Sequence, residues 1–198
     1  MKKLLCAALA ALLAALLCAC ASSAPEATLV IKQAELTQEE QELKSLLGCG
    51  SSAIYDFALD DSVKTVRVER YRLGADGAWE AIGGGSFAAS GEGRIALTMD
   101  PGRDVFRVAI QNENGTSSIR NTYPEGSRTG QNVATSLQEG EVKFGAGQEV
   151  PLVVQVITDE REVVSYSTEY FFRPEEYAQR GYENVFAVTV TFLADEIN

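Results

Sequence analysis

Histidine is missing from all 198 residues of this chain. Its absence excludes Ser-His-Asp catalysis, His-paired cysteine nucleophiles, HExxH zinc sites and histidine acid–base work. Positive charge is scarce as well: 17 Lys and Arg stand against 28 Asp and Glu, a formal net charge of −11. A surface of that sign repels phosphate backbones and anionic headgroups, so the sequence predicts no nucleic-acid partner. Beyond the N-terminus the lysines are Lys32, Lys44, Lys64 and Lys143, and none completes a Ser-x-x-Lys pattern. The run "GGGS" at Gly83–Ser86 lacks the Gly-Lys-Ser/Thr ending of a P-loop and reads as a turn or bulge. Nothing in the composition asks for a cofactor.

Cysteine is the next shortage. Of the four, Cys6, Cys18 and Cys20 fall in the first twenty residues, which leaves Cys49 alone in "LGCGSS". No His or Lys lies beside Cys49 in sequence to lower its pKa, so it is expected to be an inert, reduced thiol. No disulfide is expected.

The N-terminus carries the most specific signal. Lys2 and Lys3 precede Leu4 to Leu17, a run made only of Leu, Ala and one Cys. That is the length of an export-signal core and shorter than the ~20 apolar residues of a membrane span. A signal peptidase needs a small residue before its cut, and Ala19 supplies one ahead of Cys20. The stretch Leu17-Cys18-Ala19-Cys20 resembles the lipobox of bacterial lipoproteins. The resemblance implies removal of residues 1–19, a diacylglycerol on the Cys20 sulfur and a mature chain beginning at Cys20. It also implies a cell-membrane location on the extracytoplasmic face, with membrane lipid reached through acylated Cys20. Two acyl chains hold stably where one does not. Two alternatives stay open: a plain cleaved signal, and an uncleaved anchor, since Leu4 to Ala24 carries no charge. Residues 20–27 read as a lipidated tether.

Residues 28–198 suit one domain. "TQEEQELKSLL" at Thr37 to Leu47 predicts a helix about 37–47, with a Thr37/Glu40 capping box, Gly48 as its stop and Leu43, Leu46 and Leu47 on one face. It is expected to act as a plug or lid. From Ala53 onward the period changes to two. Tyr55, Phe57 and Leu59 alternate with polar or small residues; so do Ile95 to Met99, Phe106 to Ile110, Val164 to Phe172 and Phe186 to Phe192. Val150 to Ile157 is apolar on both faces and reads as a central strand. Val63 to Leu73 changes phase, which predicts a β-bulge near Glu69. Turns are expected at Ala75-Asp76-Gly77 and Asn114-Gly115, and a helical turn at Pro174 to Gln179. The fold class expected is mainly β: an antiparallel β-sandwich of roughly eight or nine strands with a short N-terminal helix.

Asn112 to Gln148 stands apart because it is rich in Asn, Ser, Thr, Gln and Gly. Two or three short edge strands joined by solvated loops explain it best; a recognition surface, centred on Tyr123 to Gln131, is the functional alternative. Trp79 is the single tryptophan and is expected in the core, while Tyr71, Tyr123, Tyr177 and Tyr182 are candidates for exposed rings that would stack on sugar. Asp56, Asp60 and Asp61 cluster, yet no Asp-x-Asp-x-Asp-Gly calcium loop occurs. Asp60-Asp61 is more simply a turn, no metal site is predicted, and the sequence alone leaves a cation there undecided.

Beyond the signal, "LTQEEQELKSLLG", "IYDFALDDSVKTVRVERYRL" and "GAWEAIGGGS" resemble small uncharacterised lipoproteins of Gram-positive bacteria. The resemblance implies an envelope β-domain and transfers no site residue. The sequence thus predicts a non-enzymatic binding or structural module at the cell surface, with an envelope protein or glycan as partner. The alternative is a carboxylate-dependent glycoside hydrolase or carbohydrate-binding protein acting on envelope glycans, since such hydrolysis needs only a spaced pair of acids. No catalytic residue is singled out, and the ligand-binding residues are unknown at this level.

Overall fold

The computed structural model describes residues 29–47, 52–126, 132–164 and 166–197. Cys20, Cys49, Gly48 and the tether lie outside the described residues. Eleven strands are described: β1 (Leu29–Gln33), β2 (Ser52–Ala58), β3 (Thr65–Leu73), β4 (Trp79–Ala88), β5 (Glu92–Asp100), β6 (Val105–Asn112), β7 (Gly115–Asn121), β8 (Asn132–Leu137), β9 (Glu141–Phe144), β10 (Glu149–Thr158) and β11 (Asn184–Leu193). Helix α1 spans Gln38–Leu46; a 3-10 helix (Thr168–Phe172) and α2 (Glu175–Ala178) lie between β10 and β11. The strands form two antiparallel sheets. Sheet A has the order β7-β6-β5-β2-β1-β9 and sheet B the order β4-β3-β11-β10-β8. Together they make the sandwich.

Period-two alternation dictates the core. Tyr55, Phe57, Ile95, Leu97, Phe106 and Val108 point inward from sheet A and meet Val66, Val68, Phe186, Val188, Val190 and Phe192 from sheet B. Edge-to-face and stacked ring pairs lock this layer, among them Phe57–Phe192 at 5.7 Å and Phe144–Phe192 at 4.8 Å between centroids. The Tyr55 hydroxyl donates across the sandwich to the Leu152 carbonyl at 2.8 Å, which satisfies a buried polar group and joins the two sheets.

Sheet B is covered on both faces. Val154, Val156, Val185 and Ala187 point away from the sandwich core and form a second cluster with Phe171 and Tyr177. The chain between β10 and β11 folds back over them. This corrects one sequence expectation: the described residues of Val164 to Phe172 form no strand, and the segment ends in the 3-10 helix Thr168–Phe172. Its rings stack along the surface of sheet B, so an aromatic-rich period of two was satisfied by an aromatic cover rather than a ladder.

The predicted bulge near Glu69 is corrected too. β3 pairs with β11 in unbroken register from Thr65 to Arg72, and the shift falls in its pairing with β4, where Arg70 faces Gly83 and Tyr71 faces Ala81. The extra residue is Ile82, so the bulge lies in β4. β3 keeps one phase throughout: Val66, Val68 and Arg70 face the sandwich core, and Tyr71 and Leu73 the aromatic cluster. The apparent phase change arose because the inward residue after Val68 is Arg70.

The segment Asn112 to Gln148 supplies β7, β8 and β9, each at the edge of a sheet. These are the short edge strands that its composition predicted. β1, five residues long, gave too little periodicity to be seen. The Asn114-Gly115 hairpin is present, with Asn112 facing Gly115 across a turn of Glu113 and Asn114. Ala75-Asp76-Gly77 closes β3 to β4, and Gly77 takes the left-handed φ of +79° that the turn requires.

The "GGGS" run is strand β4, and its second glycine is imposed by close approach. A Cβ on Gly84 would lie 2.1 Å from the Val68 carbonyl oxygen. We therefore expect Gly84→Ala to cost about 2–3 kcal/mol in urea unfolding. A variant as stable as the parent would contradict this packing.

Candidate functional site

The two outward faces of the sandwich differ. That of sheet B is sealed. Trp79 opens β4, stacks on Phe171 at 5.3 Å and donates its indole N–H to the Phe171 carbonyl at 2.7 Å. Tyr177 is buried beneath Tyr166 and Trp79. The tyrosines expected to be exposed are therefore structural. Tyr177 and Tyr123 are buried, and Tyr71 and Tyr182 pack against the second cluster.

The outward face of sheet A is open. Strand register sets a row of directly opposed residues across it: Glu141 on β9, Lys32 on β1, Asp56 on β2, Arg94 on β5 and Gln111 on β6. Charge alternates along the row at the ~4.8 Å strand spacing. An open groove of about 720 Å³ runs over it, with Glu92 and Asn112 on its rim. Asp56 does not join Asp60 and Asp61 in a cation site. It pairs with Arg94 at 2.9 Å. Asp60 bonds the Ser62 amide at 2.9 Å and the Ser62 hydroxyl, fixing a turn, and Asp61 is exposed beside it. Among the described residues no three His, Cys, Asp or Glu side chains converge as metal ligands.

Arg94 also reaches Glu40 of α1 at 2.7 Å. The α1 capping box is complete: the Glu40 amide donates to Thr37 Oγ1 at 3.2 Å and the Thr37 amide to Glu40 Oε2 at 2.8 Å. α1 is not the plug that its leucines suggested. None of its residues is buried, and Leu43, Leu46 and Leu47 are 57%, 84% and 65% exposed. It stands over the sheet, and the space beneath is an apolar cleft of about 330 Å³ between α1 and strands β2, β5 and β6. Its floor is Ile54, Ala96 and Ala109, outward positions where a solvated strand would carry polar residues.

A third groove of about 600 Å³ runs between β8 and the aromatic cover, lined by Gln33, Thr135, Gln138, Tyr166, Thr168 and Glu169 among others. It is polar, and its Thr168 hydroxyl already donates to Gln138 at 2.6 Å.

Sequence reasoning missed Arg70, whose side chain is buried between the sheets. One terminal nitrogen donates to the Thr122 carbonyl at 2.9 Å, while Nε and Nη2 have no partner. The guanidinium lies 4.2 Å from the Tyr123 ring centroid, 4.8 Å from Phe106 and 5.3 Å from Phe186. Burial pulls its pKa below the ordinary arginine value, and the rings offset part of the lost hydration. Tyr123 is thus a wall of an interior cation site, with its hydroxyl on Gln155; residues 127–131 of the candidate recognition surface lie outside the described residues.

No family model matches this chain, no curated protein matches its sequence, and no solved structure matches it. The architecture defines a two-sheet antiparallel β-sandwich with one sealed and one open outer face.

The hydrogen bond from the Thr37 amide, followed by that from Arg94, holds the Glu40 carboxyl below its ordinary value. A depressed folded pKa contributes stability that is present above the unfolded value and lost as pH falls through the folded one. Acidification below the ordinary glutamate range should therefore release α1 from the sheet before the sandwich unfolds. The Thr37 and Glu40 amide resonances should move toward random-coil positions while the β10 and β11 resonances stay fixed; simultaneous loss of both sets would contradict the loose attachment of α1.

Proposed function

We propose that this protein is an envelope lipoprotein, anchored through acylated Cys20, whose sandwich is a non-catalytic binding module. The observation that carries the binding role is the open outer face of sheet A, with a charged row and an apolar cleft side by side. A sandwich whose only task was to fold would have no use for apolar floor residues at solvent-facing positions. The connection from Cys20 to the domain supports the anchored geometry. Seven residues, Ala21 to Ala27, reach about 20 Å when extended, and β1 follows within sheet A, two strands from β5. The acidic surface suits this arrangement: acyl chains, not basic residues, supply the membrane contact.

Two features favour binding over hydrolysis. Asp56, the carboxylate most central to the groove, is held in an ion pair with Arg94. The carboxyl groups with displaced acidity, Glu40 and Glu183, are both displaced downward, away from the raised value a general acid needs. Glycan recognition has one observation of its own: the polar groove between β8 and the aromatic cover, where amides, hydroxyls and the Tyr166 ring converge. Envelope-glycan fragments that shift Gln138 and Thr168 resonances without being cleaved would favour that reading.

The anchor has a direct test. Cys20→Ala should abolish the lipid mass, and cell fractionation should find the variant in the medium. Retention of Cys20→Ala in the membrane would replace the lipoprotein reading with an uncleaved N-terminal anchor.

A further inference from the structure

The cleft beneath α1 has walls of one kind and a mouth of another. Leu36, Leu43 and Leu47 face Ile54, Ala96 and Ala109 across it. The hydroxyls of Ser52 and Thr98, also in its lining, share a hydrogen bond of 2.9 Å and so satisfy each other. The interior therefore presents carbon, with little to hold water.

The charged residues at the cleft are Lys44, Arg107 and Glu40. The Glu40 carboxylate is already paired with Arg94, whereas neither Lys44 nor Arg107 belongs to an ion pair among the described residues. Arg107 on β6 stands directly opposite Arg120 on β7, which is also unpaired among the described residues. Like charges at directly opposed sheet positions repel. Asp100, diagonal to Arg107 on the neighbouring strand, is engaged by Arg103 at 3.6 Å. Three cations thus gather beside an apolar cleft on a chain whose net charge is −11.

We propose that this cleft binds a single-chain anionic lipid of the fatty-acid class. Its tail lies between Leu43 and Leu47 of the helix and the Ile54–Ala96–Ala109 floor, and its carboxylate sits among Lys44, Arg107 and Arg120. The anion relieves the Arg107–Arg120 repulsion, and the tail covers leucines that are otherwise wet. A volume of about 330 Å³ lies at the small end of ligand cavities, ~300–1,000 Å³, whereas a partner helix about 10 Å across would not enter it. A second copy of the chain is disfavoured by the charge each copy carries. The proposal rests on the binding-module reading and names its ligand class.

Photocrosslinking tests it on the full chain in its native membranes. A diazirine-bearing palmitate should label residues 36–47, 52–54 and 96–109 saturably, with unlabelled palmitate competing and inorganic phosphate not. A diazirine-bearing hexadecanol, which has the tail without the charge, should label about tenfold less. Leu47→Asp, at an exposed helix position that cannot unfold the core, and Ala109→Trp, which fills the cleft, should each remove the label. Arg107→Glu should reduce palmitate labelling and leave hexadecanol labelling unchanged. Equal labelling by both probes, or labelling that survives Leu47→Asp and Ala109→Trp, overturns the proposal. So does an absence of palmitate labelling. If a benzophenone placed at Leu47 then captures an envelope protein, the binding-module reading stands with a peptide as occupant while the lipid proposal falls.

Discussion

Two adjacent strands, β10 and β11, carry apolar side chains on both faces, and this imposes the rest of the architecture. Inward, Val153, Ile157, Phe186, Val188 and Val190 fill the space against sheet A. Outward, Val154, Val156, Val185 and Ala187 would be left in water by a plain two-layer sandwich. Fully burying such a side chain contributes about 1.5–3 kcal/mol, so the chain gains by covering them. The connection from Asp159 to Glu183 is where that cover is built. Phe171 and Tyr177 press onto the strands, Tyr166 and Tyr170 stack at 4.4 Å, and Arg173 lies 3.9 Å over the Tyr170 ring. The Trp79 indole ties the cover to the β3–β4 hairpin. One outer face is consumed by folding, and the opposite face is left for other use.

The open face shows the reverse arrangement. Sheet A is amphipathic strand by strand, so its outward residues have no folding duty. A solvated antiparallel sheet would carry polar side chains there. Part of it does, in the Glu141–Lys32–Asp56–Arg94–Gln111 row. The part under α1 does not. α1 itself is tied to the sheet by the Arg94–Glu40 ion pair, with no buried side chain; its capping box closes only its own first turn. Exposed ion pairs stabilise little, so the helix is the element most readily displaced. A binding face roofed by a lightly held helix can open without disturbing the core.

Much of the fold was legible because its signals are local. The capping box needs only Thr37 and Glu40, the β3–β4 turn only Asp76 and Gly77, and period two reveals the inward faces of β2, β5, β6 and β11. The sandwich class follows from these. What sequence pattern missed depended on contacts distant along the chain. Tyr166 and Tyr170 alternate as a strand would, and only the double-sided apolarity of β10 and β11 explains why they cap a sheet instead. Arg70 broke the phase of β3 because an arginine in a core is counted as outward; its ring partners come from Phe106, Tyr123 and Phe186, far away in sequence. The cleft was partly visible. Ile54, Ala96 and Ala109 are apolar at positions out of phase with their strands, and that mismatch was the available sign. The charged groove was not visible, since its row assembles from five strands whose register no single strand encodes.

The central claim is that one outer face belongs to the fold and the other is held loosely for use. Hydrogen exchange on the full chain tests it most directly. The account predicts that amides of β10, β11 and the Thr168–Ala178 cover exchange together at the slowest rate, through global unfolding, while α1 exchanges far faster through local opening. Exchange of the Thr168–Ala178 cover as fast as that of α1, with β10 and β11 still protected, would contradict it.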